Sequence, residues 1–193
     1  MREAILRKAN ESGEAARALV ARDAERLEAC VRQMAGRFAE GGRLFVMGNG
    51  GSACDAQHVA VEFQHPIIEK RRALPALALT TDTATLTAIG NDADFSMIFA
   101  EQLRLLGRTG DMALGISTSG QSANVARGLQ AAREMEMLTV AFSGRDGGRL
   151  AELAEFAFVV PSFSIHRIQE AHTLLLHLLW DQLHVALGEE DVL

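Results

Sequence analysis

Apolar side chains near the start of the chain recur mostly at three- and four-residue steps with charge between them: Ile5, Ala15, Leu19, Leu27, Val31, Met34 and Phe38. That spacing predicts one long helix over residues 2–40, ended by the Gly41-Gly42 pair. Beyond the glycines the pattern changes. Short apolar runs at 43–47, 76–79, 112–116, 138–142 and 156–160 read as strands. The segments 52–64, 83–90, 94–106, 121–135, 147–153 and 165–187 read as helices. Strands apolar on both faces, each followed by a helix, imply a parallel sheet covered on two sides, a three-layer α/β/α sandwich. No Pro- or Ser-rich linker interrupts the alternation, so residues 41–193 are read as a single α/β domain. Residues 1–40 are read as a helical extension. Its apolar stripe is not needed to close a βαβ core, and its expected use is oligomerisation against a symmetry mate.

Composition narrows the range of partners. A chain of 193 residues can bury roughly 70% of its unfolded surface in one core. The net charge of −6 argues against a nucleic-acid surface, which would present a basic face. It does not argue against an anionic ligand, because local backbone N–H groups can hold a phosphate whatever the net charge. Two cysteines, Cys30 and Cys54, are too few for a disulfide framework and fit a reduced, cytoplasmic setting. The charged, helix-patterned start predicts no signal peptide. No apolar run reaches the length of about 18 residues expected of a membrane span.

Two strand-to-helix turns carry the chemistry of an anion site. The first is Met47-Gly48-Asn49-Gly50-Gly51-Ser52, and the second is Ile116-Ser117-Thr118-Ser119-Gly120-Gln121-Ser122. Each leaves a strand and opens a helix, where unpaired N–H groups and the helix dipole favour an anion. Glycine lets the backbone approach closely, and the hydroxyls of Ser117, Thr118, Ser119 and Ser122 exceed what a helix cap needs. Neither turn has the Lys-Ser/Thr ending of a Walker motif or the Gly-x-Gly-x-x-Gly dinucleotide fingerprint. Nucleotide-driven phosphoryl transfer is therefore not expected.

The metal-capable side chains fall in two separate stretches. His58 and Glu62 are one helical turn apart on the helix after the first turn, a spacing shared by solvated pairs and by metal or catalytic sites. Gln169 and His177 lie eight residues apart on the last helix, about 80° around its axis, so they can share a side. His172 and His184 on the same apolar helix read as core or interface residues. Asn91 and Asp92 stand where one short helix gives way to another, and capping and ligand binding explain them equally well. Cys54, inside the first turn, has no resolving partner and reads as a small packing residue.

In this order, GNGGSACDAQH from Gly48, GND from Gly90, STSGQSANV from Ser117 and RIQEAH from Arg167 resemble the sugar isomerase (SIS) domain proteins. More narrowly they resemble the phosphoheptose isomerases, which act on sedoheptulose 7-phosphate in heptose biosynthesis. The resemblance runs from Gly41 to His184. It implies a five-stranded parallel sheet flanked by helices, assembled as a homotetramer with active sites at subunit interfaces. It also implies that Asn49, Gly50, Gly51, Ser52, Asn91, Asp92, Ser117, Thr118, Ser119, Ser122 and Gln169 hold the sugar phosphate together with Glu62. His58, Glu62, Gln169 and His177 fall on the family's zinc ligands, one ion per subunit, with Glu62 and His177 as its acid–base pair. The chain departs from the family pattern in two places. Phe63-Gln64-His65-Pro66 replaces an arginine-containing run, with Lys70, Arg71 and Arg72 arriving later, and His166 replaces an acidic or small polar residue.

Moving a proton between C1 and C2 of a sugar through an enediol needs a base and an acid flanking that edge. A carboxylate suits the carbon and an imidazole suits the oxygens near neutral pH. Some SIS relatives instead act as protein partners, such as the replication-initiator-associating protein, which lacks the carboxylate and second histidine. Others could serve as sugar-phosphate sensors. Retention of both Glu62 and His177 favours an enzyme.

Overall fold

The computed structural model describes residues 1–67 and 71–191, so Lys70 lies outside the described residues. The chain runs α1 (Arg2–Ala39), β1 (Leu44–Gly48), α2 (Gly51–Gln64), β2 (Ala76–Ala78), α3 (Thr83–Asp92), α4 (Ile98–Leu106), β3 (Met112–Ser117), α5 (Ala123–Glu134), β4 (Leu138–Gly144), α6 (Gly148–Leu153), β5 (Phe156–Val160) and α7 (Ile165–Ala186). The five expected strands form one parallel sheet in the order β2-β1-β3-β4-β5. Leu44 stands opposite Ala76 and Met112, Met112 opposite Leu138, and Val140 opposite Phe156.

Alternating strand residues feed two cores. Leu44, Val46, Leu114, Val140, Phe142 and Phe158 pack under α1, α2 and α7. Phe45, Met47, Ala113 and Ala141 face the other way, toward α4, α5 and α6. The helix after β1 therefore covers one face and the helix after β3 covers the other. The chain diverges between these neighbouring strands, and their carboxyl ends frame the crevice where open α/β sheets bind ligands. Both turns singled out in the sequence lie there.

Two elements differ from expectation. The helix predicted over 94–106 begins as a 3-10 turn, Phe95–Met97, because the Asp94 carboxylate accepts from the Ser96 N–H at 2.7 Å and caps a separate start. Helix α3 runs on to Asp92, so Asn91 and Asp92 stand inside its last turn rather than between helices.

From Leu19 onward α1 belongs to the core: Leu19, Leu27, Val31, Met34 and Phe38 are buried with α7 and β5. Buried Asp23 holds Arg22 and Arg26, whose guanidinium groups donate to the carbonyls of Val159 (2.7 Å) and Ala157 (3.1 Å). These donors satisfy acceptors on the outer strand of the sheet, which would otherwise invite another strand. The first three turns of α1 are exposed, with Ile5 and Leu6 facing solvent.

Candidate active site

The first turn rises from β1 through Gly50, whose φ of 56° is the left-handed region that glycine adopts without strain. Ser52 and Ala53 donate their N–H groups back to the carbonyls of Asn49 and Gly50, both at 3.0 Å, which starts α2. In the second turn, buried Ser117 shares a hydrogen bond with Ser122 at 2.8 Å and lies 3.4 Å from Ser119. The Gln121 N–H donates to Ser119 Oγ at 3.2 Å. Gly120, at φ 65°, lies so close to Gly147 that a Cβ would overlap the Gly147 carbonyl oxygen. The structure brings Ser117, Ser119 and Ser122 into one hydroxyl cluster, with Thr118 half-buried between them.

The two turns are joined by a pair that the sequence reading did not find. Asn49 and Asn124 exchange amide hydrogen bonds, each 2.8 Å, and Asn124 Oδ1 also accepts from the Val125 N–H. Asn124 is buried in the first turn of α5, and its position just past the hydroxyl run was the available signal. With the Asn49 side chain engaged, the crevice offers backbone N–H groups and hydroxyls at two helix N-termini, a neutral cradle suited to phosphate.

Helices α2 and α7 run side by side in parallel, as three successive contacts show. A Cβ on Gly51 would overlap Gln169 Nε2, the rings of His58 and His177 lie 5.2 Å apart, and Trp180 Nε1 donates to the Glu62 carbonyl at 2.8 Å. His58 Nε2 lies 3.2 Å from Glu62 Oε1. One ligand atom each from His58, Glu62 and His177 falls within 4.8 Å of the others, with His58 and Glu62 half-buried and His177 exposed. Three of the four proposed metal ligands thus converge. Gln169 lies on the same helix as His177, its side-chain amide against Gly51 at the start of α2.

Between these levels stands Asp55, whose Oδ2 is buried without a hydrogen-bond partner among the described residues. Burial pushes its carboxyl pKa up, and neighbouring His58 partly offsets this. A cleft of about 690 Å³ opens beside His58, lined also by Gln57, Val61, Gln64, Leu77 and Thr81.

Asn91 and Asp92 are exposed, and their amide–carboxylate bond of 2.7 Å is with each other. Cys54 is exposed, not packed as expected, because the first turn of α2 faces outward there. His172 and His184 are buried in the core as expected, bonded to the Ser143 carbonyl (3.0 Å) and Glu189 (2.9 Å). Arg71 and Arg72, after the departure at Pro66, turn to Asp181 and Glu189 at the far end of α7. His166 is exposed in the first turn of α7.

A doubly wound sheet with two hydroxyl- and glycine-built turns at its switch point defines an α/β sandwich of the SIS class. The SIS domain sequence profile matches residues 9–144. The chain is 45% identical over 179 residues to the phosphoheptose isomerase of Aquifex aeolicus (strain VF5), covering 93% of this chain and 94% of that one. It is 51% identical over 159 residues to the phosphoheptose isomerase of Desulfovibrio desulfuricans, covering 82% and 76%. The solved phosphoheptose isomerase GmhA from Neisseria gonorrhoeae superposes with a TM-score of 0.88 at 40% identity, over 94% of this chain and 97% of that chain. The chain belongs to the phosphoheptose isomerase family. Among the described residues no helix is long and apolar enough to cross a membrane.

Proposed function

We propose that this chain converts sedoheptulose 7-phosphate to D-glycero-D-manno-heptose 7-phosphate through an enediol, supplying heptose for lipopolysaccharide or another glycoconjugate. The observation that carries the reading is the convergence of His58, Glu62 and His177 two turns along α2 from a phosphate-type crevice. That separation is on the scale of a seven-carbon chain between its terminal phosphate and its C1 end. The phosphate sits against the N-termini of α2 and α5, on Gly50, Gly51, Ser52 and the hydroxyls of Ser117, Thr118, Ser119 and Ser122. Asn49, Asn91, Asp92 and Gln169 complete the proposed substrate set.

Glu62 takes the C1 proton of the ketose as His177 gives one to O2, giving the enediol. His177 then takes the proton from O1, and return of the carbon-bound proton to C2 completes the aldose. Each positioned group is worth about 10²–10⁴-fold in rate. The donor set fits zinc: the two imidazoles and the carboxylate lie within reach of one ion, and Gln169 is the fourth ligand of the proposed set. When bound there, zinc would polarise the sugar carbonyl oxygen. Because a tightly ligated carboxylate is a poor base, Glu62 needs one oxygen free, and its half-buried position beside His58 leaves room for that.

The protein works as a cytoplasmic homotetramer, consistent with two free cysteines. The exposed start of α1 and an apolar groove along Val20, Ala24, Val31, Leu178 and Val185 support assembly. The test is turnover of sedoheptulose 7-phosphate by folded variants. Glu62→Gln and His177→Ala should each lose about 10²–10⁴-fold in kcat. Full activity in either would remove the assigned role.

A further inference from the structure

Helix α2 ends because Pro66 stands in its path. In an unbroken helix the carbonyl of Glu62 accepts from the N–H of the residue four further on, and here that residue is proline, which has none. His65, at φ −136° and ψ 72°, has already left helical geometry, as the residue before a proline tends to do. The backbone acceptor of Glu62 is therefore left without its helical partner, next to the only side chain that the proposed reaction assigns to carbon deprotonation.

Trp180 fills that vacancy from α7, its Nε1 donating to the Glu62 carbonyl at 2.8 Å. The indole is held on all sides. It is 4% exposed, and its ring centroid lies 4.9 Å from that of His184. The Arg71 guanidinium carbon sits 4.6 Å from the ring centroid, and Arg71 Nη2 donates to Asp181 Oδ1 at 2.5 Å. Arg71 is itself nearly buried, so the indole cannot turn without breaking an ion pair.

We infer that Trp180 is a positioning residue for Glu62: its indole N–H replaces the helix bond that Pro66 removes and fixes the last turn of α2, so that the carboxylate stays beside His58 and His177. The inference rests on the role proposed above for Glu62. A tryptophan that merely filled the core would keep its value with the N–H removed at constant shape, since its packing surface would be unchanged.

The chain contains one tryptophan, so biosynthetic replacement of tryptophan by β-(3-benzothienyl)alanine alters this position alone and exchanges the N–H for sulfur. With sedoheptulose 7-phosphate, kcat should fall about tenfold while KM stays within about twofold, because a small displacement of a reacting group costs rate more than binding. Zinc affinity, measured by competition with a chromophoric chelator, should weaken about tenfold, as it does when a group supporting a metal ligand is lost. Trp180→Phe should give the same pattern, and adding Pro66→Ala, which restores a backbone donor, should recover both quantities. Glu62→Gln is assayed alongside. An inactive Glu62→Gln with a fully active, fully zinc-binding analogue protein would overturn the positioning role alone, and an active Glu62→Gln would overturn the role of Glu62 itself. A Trp180→Phe defect that Pro66→Ala leaves untouched would also overturn the inference.

Discussion

Histidine has two fates in this chain. His58 and His177 face each other at an accessible site, while His172 is sealed in the core, where burial lowers its pKa to about 4. The unfolded ring titrates near 6.5, so between these values the unfolded chain binds a proton that the folded chain refuses. Stability must therefore fall as pH drops from 6.5 toward 4, by about 3 kcal/mol for this group. Burial drives His184 in the same direction. Denaturant titrations over that window should show a shallower decline for His172→Gln than for the parent, and identical slopes would refute the assignment. Some residue-scale features were readable in the linear chain and others were not. The i, i+4 pairing of His58 with Glu62 is fixed by helix geometry alone. The Asn49–Asn124 exchange and the Trp180–Glu62 bond join residues 75 and 118 positions apart, and neither side chain carries a local pattern that declares its partner.

At the scale of elements, the strands were legible because each is apolar on both faces, and the helices because their stripes repeat. Boundaries were less so, since single caps such as Asp94 decide them. The site depends on how elements touch. The second turn is braced from behind, with the Leu150 N–H donating to the Gly120 carbonyl at 3.0 Å and Gly147 and Gly148 pressed against Gly120. Gly120→Ala would combine a left-handed φ with overlap onto the Gly147 carbonyl. It should destabilise the protein by about 1–3 kcal/mol and raise KM for the sugar phosphate more than it lowers kcat. Thermal melts and initial rates check both, and a variant with parental Tm and KM would show that this brace is dispensable. The angle of Gln169 on α7 was predictable from the sequence, whereas the axial register of α7 against α2 is set by packing in the core.

For the whole molecule, the strand order β2-β1-β3-β4-β5 places two turns, about 70 residues apart in sequence, at one crevice. Parallel pairing could be anticipated from composition, whereas the order could not, because every strand presents similar apolar faces to its neighbours. Assembly beyond one chain is expected to use the exposed start of α1. An Ile5→Ser/Leu6→Ser variant should keep the parental fold, since exposed positions typically change stability by no more than about 0.5 kcal/mol. Light scattering should find it in a smaller species, and an unchanged oligomer would move the interface elsewhere. The placement of α1 also bears on synthesis. Helix α1 lies against β5 and α7, which follow far along the chain, so Leu27, Val31 and Met34 emerge from the ribosome long before α7 exists to cover them. Domain closure must then wait until α7 has been made, and the nascent protein carries an uncovered apolar stripe that makes it a natural client for chaperones. Arg22, Asp23 and Arg26 precede β5 in the chain, so the guard of that edge strand is made before the strand it protects.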